Sequence, residues 1–590
     1  MHSFLRFENF TRLILRLLVV VSIGAALGAC ATVPETTEVL SVEAEVTSVD
    51  PQQEPEEIEY GSFTEEQLYQ AIIGELGAKR GDVEDAGENY FDLAFDTRDL
   101  GVVKRAVQFA SINNDLNALL QLGLLWAEIS PRDPQPHLML SFQFLENGAF
   151  GQALSHMARV IDLGGSIDFS TLAARTGRLN PAARVGLIGN LRQLVREFPA
   201  QESIHIALIQ LLGQNREAEA GLDELDLLKN RIELTPAIVL LEAQLQQNLD
   251  RPDTALRVLR NGVRRFENDK SLRLTYARLL IQNDEFGDAR KQFEILVELD
   301  PEDWETYYSV ALLDMEMDDD DSAIRRFTRL IGVDQRADES QYYLGLIYEQ
   351  RQQLTQAIEH YRQVRIGTNN FLAAQQQATR FSITLGELED AHNWLSDLAR
   401  GQPRLEIMFL TIESSALIQA DYSDEALALL NTALNKYPNE TDLLFARVLY
   451  NDSIQNSAGS ERDLRQIIRM LPEDSRALNH LGYMLADQTT RFEEALELLE
   501  RAIAISPDDP AIIDSIAWVQ YKLGRYAESL ANLRRAFVVF PDHEVASHLG
   551  EVLWVMGRKD EAVRVWEDAL KATPDSELIK EAMERLQPQS

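Results

Sequence analysis

Nine histidines and a single cysteine are the side chains in this 590-residue chain best suited to zinc or nucleophilic chemistry, and their spacing argues against both. Only His543, Glu544 and His548 resemble a zinc-protease pattern, with one residue too many. Five residues turn a helix by about 500°, leaving the two imidazoles roughly 140° apart, and Pro541 puts His543 at a helix start. The acidic run Asp318 to Asp321 suggests a calcium loop, but Ala323 and Arg329 stand where such a loop needs its glycine and its closing carboxylate. There is no phosphate-binding glycine loop, no nucleophile elbow and no Ser, His and Asp set. The expectation is therefore no enzyme, no metal, no cofactor and no small-molecule substrate.

The cysteine, Cys30, has a different chemistry. Arg6, Arg12 and Arg16 precede a largely apolar run from Leu17 to Ala29, too short to span a bilayer and organised like a secretory signal peptide. Leu27, Gly28, Ala29 and Cys30 resemble the lipobox of bacterial lipoproteins. That resemblance implies cleavage between Ala29 and Cys30, lipidation of Cys30, and, with Ala31 rather than aspartate next, an anchor in the outer membrane facing the periplasm. Each buried methylene contributes about 0.8 kcal/mol, so three acyl chains hold firmly. Residues 31 to 60 carry nine acidic residues and no Lys or Arg, which predicts an open, self-repelling tether. Its span is about 30 Å as a coil and up to roughly 100 Å extended. Val39, Leu40 and Val42 leave room for part of it to pack on the first hairpin.

What positions everything else is a repeat. Ala255, Ala289, Ala323, Ala357 and Ala391 stand 34 residues apart. Twelve positions upstream of each is a small or short residue (Ala243, Ala277, Ala311, Gly345 and Thr379), and four positions downstream a large apolar one (Leu259, Phe293, Phe327, Tyr361 and Leu395). Small residues mark where two helices touch, and the bulky residue one turn on fills the adjoining groove. Pro438, Pro472, Pro507, Pro541 and Pro574 keep the same period, as prolines that end one hairpin and set the turn into the next. This pattern resembles the tetratricopeptide repeat. It implies an all-α superhelical solenoid of about thirteen hairpins, with further anchors at Ala86, Ala118, Ala153, Ala220, Ala426, Ala495, Ser529 and Ala562, and degenerate units at 165 to 200 and 440 to 472. A final helix, apolar at Leu578, Ile579, Ala582, Met583 and Leu586, is expected to cap the last hairpin. The resulting organisation is a signal peptide at 1–29, an acidic tether at 30–60, divergent hairpins at 61–200, a central array at 201–438, a C-terminal array at 439–574, and the cap and tail at 575–590.

A formal charge of −39 makes nucleic acid a poor partner and a basic protein surface a favoured one. The tetratricopeptide resemblance implies that first helices of successive pairs line an inner wall that receives proteins. By that register the wall carries Arg278, Ile281, Tyr308, Leu312, Met315, Tyr342, Leu346, Glu349 and Arg380, and a second cluster Asn479, Tyr483, Asp514, Trp518, Tyr521, Lys522 and Trp554. For any of these aromatics, packing between repeats is the competing expectation. The lipobox, the acidic leash, the region from Gln67 to Ala94 and the closing block Gly550 to Pro574 together resemble adaptor lipoproteins that bind carboxyl-terminal processing proteases, most closely the long Pseudomonas-type members. That resemblance implies a periplasmic protease and its cell-wall hydrolase clients as partners. A role in envelope assembly, such as pilus secretin targeting or outer-membrane protein insertion, is the alternative.

Overall fold

The computed structural model describes residues 63–586, so Ala29, Cys30, the lipobox and the tether lie outside the described residues. Within them there is no strand, and the thirty-one α-helices are mostly paired in two-helix units, except that Ser170–Arg175 and Pro181–Glu197 both pack on Glu202–Gln214 and Glu577–Leu586 closes the series. The chain divides into two compact units, residues 1–326 and 327–590. In each, consecutive helices pack as antiparallel hairpins.

The 34-residue alanines explain the hairpins. Ala255, Ala289, Ala323, Ala357 and Ala391 are each the fourth residue of the second helix of a pair, and all are buried, as are the bulky residues four positions on. Five positions before each alanine, the turn between the two helices has a residue with positive φ: Asp250, Asp284, Asp318, Gln352 and Gly386. The same offset recurs at Gly81, Gly148, Asp421, Gly524 and Gly557. Asp tolerates the left-handed region better than most non-glycine residues, which accounts for Asp318 in the acidic run. Its neighbour Asp319 caps the next helix by accepting from the Ser322 N–H, 3.3 Å away.

Return turns have their own chemistry. Pro438, Pro472, Pro507, Pro541 and Pro574 each lie two residues beyond the last helical residue, and Asp474, Asp509 and Asp542 then cap the helix that follows. Asp99, Asp115, Asp133, Asp269 and Asp303 do the same earlier in the chain. A breaker followed by an acceptor for orphan N–H groups resets the helix direction at Pro472, Pro507 and Pro541.

Several details differ from the sequence reading. The unit at 440 to 472 is a regular hairpin, Thr441–Ser453 and Ser457–Met470, with Ser460 in the alanine slot. Ser529 occupies the same slot, and its hydroxyl donates to the carbonyl of Ala517, twelve residues upstream, at 2.7 Å. The hydroxyl satisfies itself against the facing helix, so serine fits where a methyl does. The buried anchors near Ala118 and Ala220 are Leu119 and Gly221, each one residue on. Only 165 to 200 is irregular, with the short helix Ser170–Arg175, a 3-10 turn at Thr176–Arg178 and then Pro181–Glu197. The closing helix Glu577–Leu586 packs through Ile579, Ala582, Met583 and Leu586, whereas Leu578 points out to solvent.

Among the described residues no helix is long and apolar enough to cross a membrane.

Candidate protein-docking surfaces

Much of the expected inner wall is core. Every residue from Thr306 to Met315 is buried, which takes Tyr308, Leu312 and Met315 out of reach of a partner, and Ile281 and Leu346 are buried too. The cause is that these first helices are covered on all sides, so a residue one step from the core face still has no solvent. Arg278 is half-buried. Tyr342, Glu349 and Arg380 do come together: Glu349 accepts from the Tyr361 hydroxyl at 2.7 Å and from Arg380 at 3.1 Å, and Tyr342 lies 5.7 Å from the Tyr361 ring. They knit two hairpins and leave a partly exposed patch.

The second expected cluster converges on a histidine that the sequence reading treated only as a metal ligand. His548 is buried, its Nδ1 lies 2.9 Å from Asp514, and its ring stacks on Trp518 at 4.0 Å. Tyr483 donates to Glu544 at 2.9 Å, Tyr521 packs on Trp518, and Trp518 donates to Asp487 at 3.3 Å. Trp518 itself is buried, with the Lys522 ammonium over its ring. His543 instead meets Ser576 of the loop before the closing helix. Among the described residues no three His, Cys, Asp or Glu side chains are arranged to hold a metal ion.

Burial alone lowers the His548 pKa, but Asp514, with Glu544 and Glu551 behind it, outweighs burial and holds the imidazole above its ordinary value. A raised folded-state pKa means stability that is complete below the unfolded value and lost as pH rises through the folded one. The thermal transition of the last hairpins should therefore fall as pH rises from the ordinary histidine value through the higher folded-state one. A His548→Gln variant should lose that slope. Melting followed by Trp fluorescence checks it, and an unchanged slope in the variant would assign the pH dependence elsewhere.

Two surfaces among the described residues carry their apolar area along the face of a helix. The helix Glu65–Arg80 is held to its neighbours through small residues and one ion pair. Gly74 sits against the Tyr90 ring, and Glu75 pairs with Arg105 at 2.6 Å. Its large side chains face away: Leu68, Tyr69, Ile72, Ile73 and Leu76 are between 43% and 61% exposed. A helix that buries its small face and shows its large one is built to receive something.

The other surface is a groove of about 640 Å³ in the second unit, between the helices Pro403–Gln419 and Thr441–Ser453 and the start of Ser475–Gln488. Ile407, Met408, Ile418, Phe445 and Leu449 line it, with Arg404, Glu440, Asp442 and Arg476 at one end. Two of its hydroxyls donate within their own helix, Thr411 to the Met408 carbonyl at 2.7 Å and Ser414 to the Thr411 carbonyl at 3.0 Å. Neither surface was among the expected site residues. The spacing of Leu68, Ile72 and Leu76, and of Met408 and Thr411, is visible in the sequence, but spacing cannot say which face a helix buries.

Family models for the tetratricopeptide repeat match residues 240–304, 311–371, 453–510 and 515–577. The TPR repeat-containing protein PA4667 of Pseudomonas aeruginosa is 33% identical over 535 residues, covering 90% of each chain. This chain belongs to the tetratricopeptide repeat proteins. Among solved tetratricopeptide structures, a protein from Parabacteroides merdae is 18% identical, covering 42% of this chain and 99% of its own, with a TM-score of 0.32. The type IV pilus biogenesis factor PilW is 16% identical, covering 31% of this chain and 92% of its own, with a TM-score of 0.26. Tetratricopeptide proteins bind protein partners.

Proposed function

We propose that this tetratricopeptide chain is an adaptor, lipid-anchored through Cys30 on the periplasmic face of the outer membrane, that brings a carboxyl-terminal processing protease and its cell-wall hydrolase clients together. Tethering two partners on one scaffold raises the effective concentration of each for the other without new chemistry. The observation that carries this reading is the presence of two separate apolar docking surfaces, the outward stripe of Glu65–Arg80 and the groove of the second unit. The lipobox and acidic tether support the location. The formal charge of −39 favours partners with a basic face and speeds their encounter.

The test is reconstitution. Purified chain added to a carboxyl-terminal processing protease from the same envelope should accelerate cleavage of a cell-wall hydrolase. The Ile72→Asp, Leu76→Asp double variant should coprecipitate its partner at least about tenfold less well, because two anchors of the stripe are lost. Its melting should stay within about 0.5 kcal/mol of the parent, both residues being exposed. No acceleration of cleavage, or capture of pilus or barrel-assembly proteins instead, would overturn the reading.

A further inference from the structure

We infer that two copies of this chain pair through the exposed stripe of Glu65–Arg80, the two helices running antiparallel about a two-fold axis between Ile72 and Ile73. The inference goes beyond the adaptor reading, because it concerns what covers the stripe when no partner is bound.

Rigidity comes first. Thr64 accepts from the Gln67 N–H at 3.2 Å and its own N–H donates to the Gln67 side chain at 3.0 Å, so the first turn is closed. Gly81, at φ 99°, closes the other end with its N–H on the Ala78 carbonyl. Between these caps the helix has one way to lie. Ala71 and Ala78 pack on the core beneath it, and Gly74 is buried so closely against Tyr90 that a Cβ there would stand 3.0 Å from the ring. Turning a larger side chain inward would open this contact. Leu68, Tyr69, Ile72, Ile73 and Leu76 therefore stay together on the outer face, in an arc of about 140° at about 100° per residue. No other helix among the described residues shows more than three large apolar side chains exposed.

The ends of this face choose its occupant. Glu65 and Glu66 lie in the first turn and Lys79 and Arg80 in the last, all four exposed and none in an ion pair among the described residues. A second copy laid antiparallel over the midpoint sets Glu65 against Arg80, Glu66 against Lys79, Tyr69 against Leu76 and Ile72 against Ile73, in both directions at once. The acids and bases suit the dipole of their own helix, and in the antiparallel pair each also meets the opposite charge of its neighbour, across ends about 22 Å apart at 1.5 Å per residue. A parallel pair would instead set acids against acids and bases against bases. A face that complements itself when turned end over end is what a two-fold contact between identical chains requires. The formal charge of −39 on each chain opposes approach only at long range, since physiological salt screens it beyond about 8 Å. Inside the contact, the end charges and the apolar stripe decide. One helix from each copy is a small contact beside the roughly 800 Å² per partner of a standard interface, so the pair is reversible. A partner that docks on the stripe displaces the second copy.

Sedimentation velocity of the full chain, over a range of concentrations, should show a monomer–dimer equilibrium. Ile73→Asp should leave a monomer with unchanged helical circular dichroism, Ile73 being exposed. Orientation is read by charge reversal. Glu65→Lys with Glu66→Lys makes both ends of the stripe basic, and Lys79→Glu with Arg80→Glu makes both acidic. Each double variant alone should dimerise at least about tenfold more weakly than the parent. Mixed together, the two should form a heterodimer within about threefold of the parent's affinity, because every end charge again faces its opposite. A parent that stays monomeric, a dimer that survives Ile73→Asp, or double variants that weaken without rescuing each other would each overturn the inference. A monomer whose stripe is still protected from hydrogen exchange would assign the stripe to the chain's own tether and overturn it as well. Charge-swap rescue without acceleration of protease cleavage by the parent would remove the adaptor reading alone.

Discussion

Gly550→Ala will destabilise the last hairpins by about 3 kcal/mol, although alanine is the better helix former by about 1 kcal/mol. Gly550 lies in His543–Val555, where an added Cβ would stand 2.0 Å from Nε1 and 2.2 Å from Cε2 of Trp566. Trp566 is fully buried and donates to the Ser547 carbonyl at 3.2 Å, so it cannot swing aside without losing both packing and a hydrogen bond. The helices must separate or the indole must leave its rotamer. The same small-against-large contact recurs at Gly345 with Tyr361, at 2.5 Å, and at Gly482 with Leu499, at 2.6 Å. Gly151 provides the control: it lies in Phe150–Asp162 with nothing near its missing Cβ, so Gly151→Ala should be neutral or stabilising. Urea unfolding with hydrogen exchange resolved along the chain measures both, because a repeat array need not unfold in one step. Equal protection of the last hairpins in Gly550→Ala and the parent would contradict the packing account.

Asp314→Ala will have an effect of about 3–5 kcal/mol in the first unit, by leaving two arginines facing each other. The Asp314 carboxylate has no solvent exposure and lies 2.7 Å from Arg290 and 2.8 Å from Arg326, side chains themselves only about a fifth exposed. Glu294 holds Arg326 at 2.8 Å, and Asp319 reaches Arg290 at 3.4 Å. The network staples three successive helices, and a carboxylate missing from its centre strands both charges. Replacing the exposed Asp397, paired only with Arg400 one turn away at the surface, should change stability by less than about 0.5 kcal/mol. Parallel denaturation of the two variants separates buried from surface pairing, and equal effects would refute the distinction.

How much of this was legible beforehand depends on whether local chemistry or neighbours decided it. The alanine at the fourth position of each second helix and the prolines two residues past each helix end are local rules. They were readable because the constraint at each site is a methyl or a missing N–H. The acidic run lies at a turn between two helices as its spacing suggested, a left-handed turn residue followed by a helix cap, which follows from the same local chemistry. Serine at 460 hid one slot, although Ser529 was read as an anchor, because a hydroxyl that bonds the facing carbonyl mimics a methyl in space while reading as polar in sequence.

The docking surfaces were less legible. Tyr308, Leu312 and Trp518 look like interface residues by type, yet burial is set by elements far along the chain and takes them into the core. Conversely, Leu68, Ile72 and Leu76 look like core by spacing and are exposed, because the helix turns Gly74 to its neighbour instead.

Sequence by itself determined the repeat, its phase and the helical class, since close helix contact demands small side chains at fixed intervals whatever surrounds them. Tertiary structure alone decided which faces stay open and why His548 is buried against Asp514. Those properties depend on which atoms exclude water, and that is settled only when the hairpins are stacked.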